Sequence, residues 1–379
     1  MREAPHSLGR RGFLTGALGA AFLGRRNARA ASSSVETSQL MDISGREPAL
    51  VLQDFVLSPN GRIVAFEYRD LPAGRNSLGL GFLYWETGRL VRIPNPPSKQ
   101  LSMPSFSENG RHLVAAMGGA NSLEPSQIGV IDVDTLEVTE ITPVPTTNKD
   151  FPFKEYPVCQ PSTGDILYVL NINTYGPHHL QLLHRSSNTT TTILDPKYGF
   201  YAIFRPSFVG PEEVVFQAIA PRDPALIQPI IDLLGREHYN VALTITYRLR
   251  FGETPEIFLP ALTKARTSQL LPGLAHLTAS RNGETIIFED FATLQPEGAH
   301  GEWNYEIFKL QNGQVTQMTD LRSYLAFAHV SYDGGTVAFG SDPTRRKIVD
   351  LLILDVSSRK ITATGLLNRL QTASEFRLG

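Results

Sequence analysis

A six-bladed β-propeller, all-β and built of four-stranded antiparallel blades, is the fold this sequence predicts. Three observations predict it. Period-2 apolar runs broken by turn signals dominate the chain beyond residue 46. One pattern, a strand, a tight turn and a β-branched strand, recurs six times. Its turns are spaced 49, 54, 48, 71 and 51 residues apart, and a unit of that length holding four strands is a propeller blade.

The copies set the blade order. The first runs Phe55–Phe66 and the second Pro104–Ala115; the third runs Val158–Tyr168, the fifth Leu277–Phe288 and the sixth His329–Phe339. Asn60-Gly61, Asn109-Gly110, Asn282-Gly283 and Asp333-Gly334 occupy one place in their copies. Such dipeptides suit hairpin turns that need positive φ. The fourth copy, Arg205–Phe216, is degenerate: its glycine, Gly210, stands two places early, so its turn must differ. Each unit also carries a second hairpin, as in Gly81–Trp85 with Leu90–Ile93, Leu180–Leu183 with Thr191–Leu194, and Leu351–Leu354 with Lys360–Thr362.

The 71-residue interval predicts a short helical insertion in blade four, between Ala220 and Asn240. Asp223-Pro224 is an N-cap and first-turn signal, and Gly235 a stop. Leu226, Ile227, Ile230, Ile231 and Leu234 form an apolar stripe. Pro229 is expected to kink this helix or to start a shorter one. Blade six has its own fourth strand near Ile361, so the ring is expected to close by packing, helped by the tail from Leu366 to Leu378, without a strand exchanged between the chain ends.

The chain divides into residues 1–30, a signal; 31–46, a linker; 47–365, the propeller; and 366–379, a tail. Arg10-Arg11-Gly12-Phe13-Leu14 precedes an uncharged stretch ending at Gly24, and Ala28-Arg29-Ala30 fits a cleavage site. This segment resembles a twin-arginine translocation signal, carried by Arg10, Arg11, Phe13 and Leu14. The resemblance implies export, to the periplasm or beyond. No later stretch is long and apolar enough to span a bilayer, so no membrane span is expected once the signal is removed.

Charge narrows the partners. Residues 1–30 hold six arginines against one glutamate, so the rest of a chain of net charge −2 stands at −7. With no basic run, that remainder lacks the phosphate-neutralising charge a nucleic-acid binder needs. The single cysteine, Cys159, excludes an intrachain disulfide and any cysteine-based zinc site.

The run Leu57-Ser58-Pro59-Asn60-Gly61-Arg62-Ile63-Val64-Ala65-Phe66 resembles the repeat of TolB-like propellers. The same repeat occurs in the propellers of prolyl oligopeptidases and in oligogalacturonate lyases. The resemblance covers the six blades and implies an architecture, not an activity. TolB carries an added N-terminal α/β domain, for which Ser32–Glu47 leaves no room, so its role in the Tol system is not expected to transfer.

Catalytic motifs are missing from the sequence: no Gly-x-Ser-x-Gly, His-Glu-x-x-His, phosphate loop, dinucleotide fingerprint or EF-hand loop occurs. Three groups remain. Tyr175-Gly176-Pro177-His178-His179 offers adjacent histidines as a base or ligand, although a metal needs further donors from other blades. Glu289, Asp290, Glu297, His300, Glu302 and Trp303 collect in blade five as a sugar or cation binder, or as a solvated loop. Phe151, Phe153 and Tyr156, then Tyr198, Phe200 and Tyr201, read best as filler between blades.

The a–b and c–d turns are short, whereas the b–c loops and d–a links are long and fall on the opposite face. Binding is therefore expected on the long-loop face. His178, His179, Arg222, Asp290, His300 and Arg345 are its expected residues, nearer the axis than the rim. No metal set and no cofactor are identified. The leading expectation is a monomeric binding platform for a protein, peptide or cell-envelope component, with a saccharide as a further ligand class. The alternative is a propeller-type lyase, lactonase or hydrolase acting on sugars or sugar acids.

Overall fold

A computed structural model describes residues 48–74, 77–119, 125–142, 153–171, 177–219, 221–235, 244–267, 274–291, 305–321, 323, 325–342 and 349–378. The signal residues Arg10, Arg11, Phe13 and Leu14, with His300 and Arg345, lie outside them. Six antiparallel sheets each contain four consecutive strands, so each sheet is one blade. The first strands of the blades are Leu50–Leu57, Lys99–Phe106, Phe153–Cys159, Ala202–Gly210, Ala275–Ala279 and Leu325–Val330. Each touches the first strand of the next blade, and the sixth touches the first, which closes a ring around a central axis.

Blades stay together because both faces of each sheet are apolar. Leu113 and Ile131 face blade one, while Val114 and Val130, their neighbours in the same strands, face blade three. Six apolar clusters result, one at each blade junction. Fully burying each such Leu, Ile or Phe contributes about 2 kcal/mol.

The first hairpin of a blade is a repeated hydrogen-bonded box. In blade one Ser58 Oγ donates to Asn60 Oδ1 at 2.8 Å and accepts from Ile63 N at 2.9 Å, while Arg62 N donates to Asn60 Oδ1 at 3.1 Å. Ser107 with Asn109, Ser280 with Asn282, and Ser331 with Asp333 repeat it. Blade four lacks the box: Gly210 pairs directly with Glu213, leaving a two-residue turn at Pro211-Glu212. The displaced glycine accounts for this different turn.

Blade four carries the insertion as helix α1, Pro224–Leu234, between its second and third strands. Asp223 caps it by accepting from Ala225 N at 2.8 Å. Helix α1 runs through Pro229 as a single element, so the proline does not start a shorter helix. Leu226 and Ile230 lie in the core between blades three and four, and this burial offsets the one hydrogen bond the proline removes. The long interval also holds a second helix, α2, Pro260–Thr267, which links blades four and five and packs against α1.

Helix α3, Leu366–Thr372, and the turn Ser374–Phe376 fasten the ends of the ring. Leu366, Leu367, Leu370 and Phe376 join the core between blades six and one. Gln371 takes the N–H of Ala49 and donates to the carbonyl of Leu50, while Asp70 accepts from Leu378 N at 2.8 Å. Phe376 stacks on Phe66 at 5.9 Å and lies over Gly81, where a Cβ would stand 2.8 Å from its ring.

Candidate functional site

Each first strand swells at the same level. In blades two to six, two residues of the first strand stand opposite one residue of the second. The first residue of each pair is Met103, Tyr156, Arg205, His276 or Phe327, at φ between 46° and 64°. A bulge of this kind turns a side chain out of the pleat. Blade one reaches the same place through an irregularity between Leu52 and Asp54, which presents Asp54. The six residues line an axial cavity of about 80 Å³, room for a few waters or one small chemical group. The next layer of the cavity wall includes Ser105, Ser207, Thr278 and His329.

The ring is polar on a fixed frame. Arg205 of blade four reaches Asp54 of blade one at 3.0 Å. Those blades are opposite, so this ion pair crosses the axis. The Arg205 guanidinium also lies 4.9 Å from the ring centre of Phe327 and 6.0 Å from that of Tyr156. His276 Nδ1 meets Glu289 Oε2 at 2.6 Å, and its ring lies 5.2 Å from Phe327. Glu289 in turn accepts Ala328 N at 2.7 Å, and Glu67 accepts Met103 N at 2.8 Å. The second strands thereby pin the bulges of neighbouring blades. At the tight-turn end a second opposed pair, Arg281 of blade five with Glu108 of blade two, also crosses the axis.

Burial tunes these groups. It pushes the Glu67 carboxyl up to about 7, with the Asp54 charge adding to the effect. It pushes His329 down to about 4, so that imidazole is neutral at pH 7. His329 Nδ1 accepts the N–H of Leu57 at 3.3 Å, which leaves its proton on Nε2. Among the described residues no cluster of three His, Cys, Asp or Glu is arranged to hold a metal.

The described members of the sequence-predicted set, His178, His179, Asp290 and Arg222, do not line this cavity. His178 and His179 begin the third strand of blade three and are buried. His178 Nδ1 accepts from Ile203 N at 3.3 Å, a tie between blades three and four, and burial pushes the imidazole down to about 4. Burial also lowers His179. Asp290 is buried in the second strand of blade five, opposite Glu306. Arg222 is exposed beside α1, its backbone N–H on Tyr198 O at 2.9 Å. None of these four lines the axial cavity. The reason is topological: only the first strand of a blade reaches the axis, and these residues sit on second and third strands or beyond. Tyr198 and Phe200 do fill the core between blades, whereas Tyr201 is 45% exposed and Tyr156 belongs to the ring.

Sequence reasoning missed Asp54, Met103, Arg205, His276 and Phe327 as a set. One signal was present. In blades one, two, five and six the ring residue stands seven places before the turn glycine. Its identity differs in every blade, so the repeat conceals it.

No known protein-family profile matches this chain, and no curated protein matches its sequence. Its structure is similar to that of TolB from Acinetobacter baumannii, at 13% identity over 83% of this chain and 62% of that one, with a TM-score of 0.51. A putative TolB from Agrobacterium tumefaciens is similar at 13% identity over 74% and 85%, TM-score 0.50. So is a puromycin-hydrolyzing peptidase of Mycobacterium tuberculosis, at 10% identity over 83% and 52%, TM-score 0.50. The chain thus spans less than two thirds of the length of the Acinetobacter protein. At these identities the likeness shows the TolB-like six-bladed fold. Among the described residues no helix is long and apolar enough to cross a membrane.

Proposed function

We propose that this chain is an exported β-propeller whose axial cavity binds one small group of a protein, peptide or cell-envelope component. The observation that carries the reading is the ring Asp54, Met103, Tyr156, Arg205, His276 and Phe327. Five blades share one backbone device there, blade one reaches the same level through its own irregularity, and the six place six different side chains on the cavity. A rigid scaffold presenting variable side chains at a concave mouth is the usual form of a binding site. Export rests on Arg10-Arg11 and the uncharged stretch that follows. The site is tested by calorimetric titration of the full chain with short peptides and soluble peptidoglycan fragments. Binding that is lost in the double variant Asp54→Asn/Arg205→Gln, with unfolding temperature kept, supports the axial site; binding unchanged in that variant places the site elsewhere. Arg10→Lys with Arg11→Lys is expected to leave unprocessed precursor inside the cell.

A second reading has its own observation. His276 is held by Glu289 through Nδ1 and lines the cavity, the arrangement of an oriented general base. This favours the lyase, lactonase or hydrolase alternative. Turnover of sugar-acid or lactone substrates that disappears in His276→Gln would establish it.

A further inference from the structure

Resting on the axial-site reading, we infer that the group taken into the cavity is a carboxylate, the single negative charge on the narrow end of a ligand. The charges of the ring differ in exposure. Arg205 and His276 keep 27% and 21% of their side-chain surface, whereas the acids that hold them, Asp54 and Glu289, keep 12% and 2%. Arg205 and His276 are thus the more open members of the two pairs. Arg205 carries five N–H donors, and only its Nη1 is engaged by Asp54 among the described residues. The aromatic ring of Phe327 covers one side of the guanidinium, which leaves its edge for a planar, two-oxygen acceptor.

The deeper layer is composed of donors. His329 carries its proton on Nε2 because Nδ1 already accepts from Leu57. Thr278 Oγ1 accepts from Val330 N at 3.1 Å, so its hydrogen is left to donate. Ser105 and Ser207 add two more hydroxyls to the cavity wall. Among the described residues no carboxylate belongs to this layer. Arg205 carries one positive charge, already faced by Asp54, which favours a singly charged acceptor over a phosphate dianion. The cavity size admits one such group and not a folded element.

A peptide C-terminus and a sugar acid both present this chemistry, and calorimetry of the full chain at pH 7 separates them. The probes are N-acetyl-Gly-Gly against its C-terminal amide, and glucuronate against glucose. Expected is binding of at least one acid about ten-fold tighter than its neutral partner, a difference of about 1.4 kcal/mol. The peptide pair and the sugar pair show which source is used. Arg205→Gln is expected to erase that ratio. Asp54→Asn is expected to widen it, because the acid competing for Arg205 is removed while the amide oxygen still accepts Phe55 N. If Arg205→Gln does not fold, Asp54→Asn alone decides the sign. Equal binding of acid and neutral probe, or weaker acid binding in Asp54→Asn, overturns the carboxylate and leaves axial binding standing. No binding of either acid overturns the carboxylate as well, and the peptidoglycan and peptide titrations then decide the axial site separately.

Discussion

The two ends of a first strand behave oppositely. At the tight-turn end, four blades repeat Ser-x-Asn/Asp-Gly in sequence and the same hydrogen-bonded box in structure. At the axial bulge, five blades repeat backbone geometry and no side chain at all. The turn needs particular atoms: a hydroxyl to accept a backbone N–H, an amide or carboxylate oxygen, and a residue free to take positive φ. The bulge needs only an extra residue, so its side chain is free to serve the cavity. Repetition in sequence therefore marks what builds the blade, and variation on a repeated backbone marks where the molecule can act.

The largest effect is expected at the turn end. A Cβ on Gly283 would lie 2.0 Å from the carbonyl oxygen of Val209 in blade four, whereas one on Gly164, at similar φ, meets nothing within 4 Å. Gly283→Ala should cost about 3 kcal/mol, backbone strain and overpacking together, and Gly164→Ala about 1 kcal/mol, strain alone. Denaturant unfolding measures both, and equal costs would break the claim that turns lock blade to blade.

Next is Glu67, which couples the two regions by holding the bulge of blade two. Its carboxyl is raised from 4.5 in the unfolded chain to about 7 by burial and by Asp54. The stability this contributes is full below about 4.5 and is lost as pH rises through about 7. Arg69, Arg205, Asp54 and Met103 N act on the same carboxyl, so Glu67→Gln isolates it. The variant should be about 2 kcal/mol more stable than the natural chain at pH 8, the gap closing toward pH 4.5. His178 and His329, lowered from 6.5 to about 4, work in the other direction. Their stability is present above 6.5 and lost as pH falls toward 4, which Glu67→Gln leaves unchanged.

Ser107→Ala removes one box hydroxyl, which bonds Asn109 and His112 N. It should cost about 1 kcal/mol of stability and leave axial binding unaltered. The smallest effect on stability is expected for Tyr156→Phe, within about 0.5 kcal/mol, while the affinity for the carboxylate probes changes. A ring variant that alters stability but not binding would erase the distinction between the two regions.

Some of this organisation was open to reading and some was not. Blade count, blade order and the place of the insertion were legible because turn chemistry and apolar alternation act between residues close in the chain. The continuity of α1 through Pro229 was not, since what offsets the proline is burial of Leu226 and Ile230 between two blades. The long interval at blade four was visible, but its second helix, Pro260–Thr267, lies outside the predicted insertion of Ala220–Asn240. The histidine pair drew notice for its chemistry, and the fold uses His178 as a buried tie.

By itself, then, the sequence determined the blades, their number and the turns that join their strands, because each depends on local hydrogen bonding and on period-2 burial. Only the tertiary structure decided the axial site. Asp54 and Arg205 are 151 residues apart, and their meeting depends on six blades closing into a ring of one radius. The closure itself is of the same kind. Gln371 joins Ala49, and Asp70 joins Leu378, across almost the whole chain. Pairings between such distant residues leave no period and no local pattern, since it is the curvature of the assembled ring that brings them within hydrogen-bond reach.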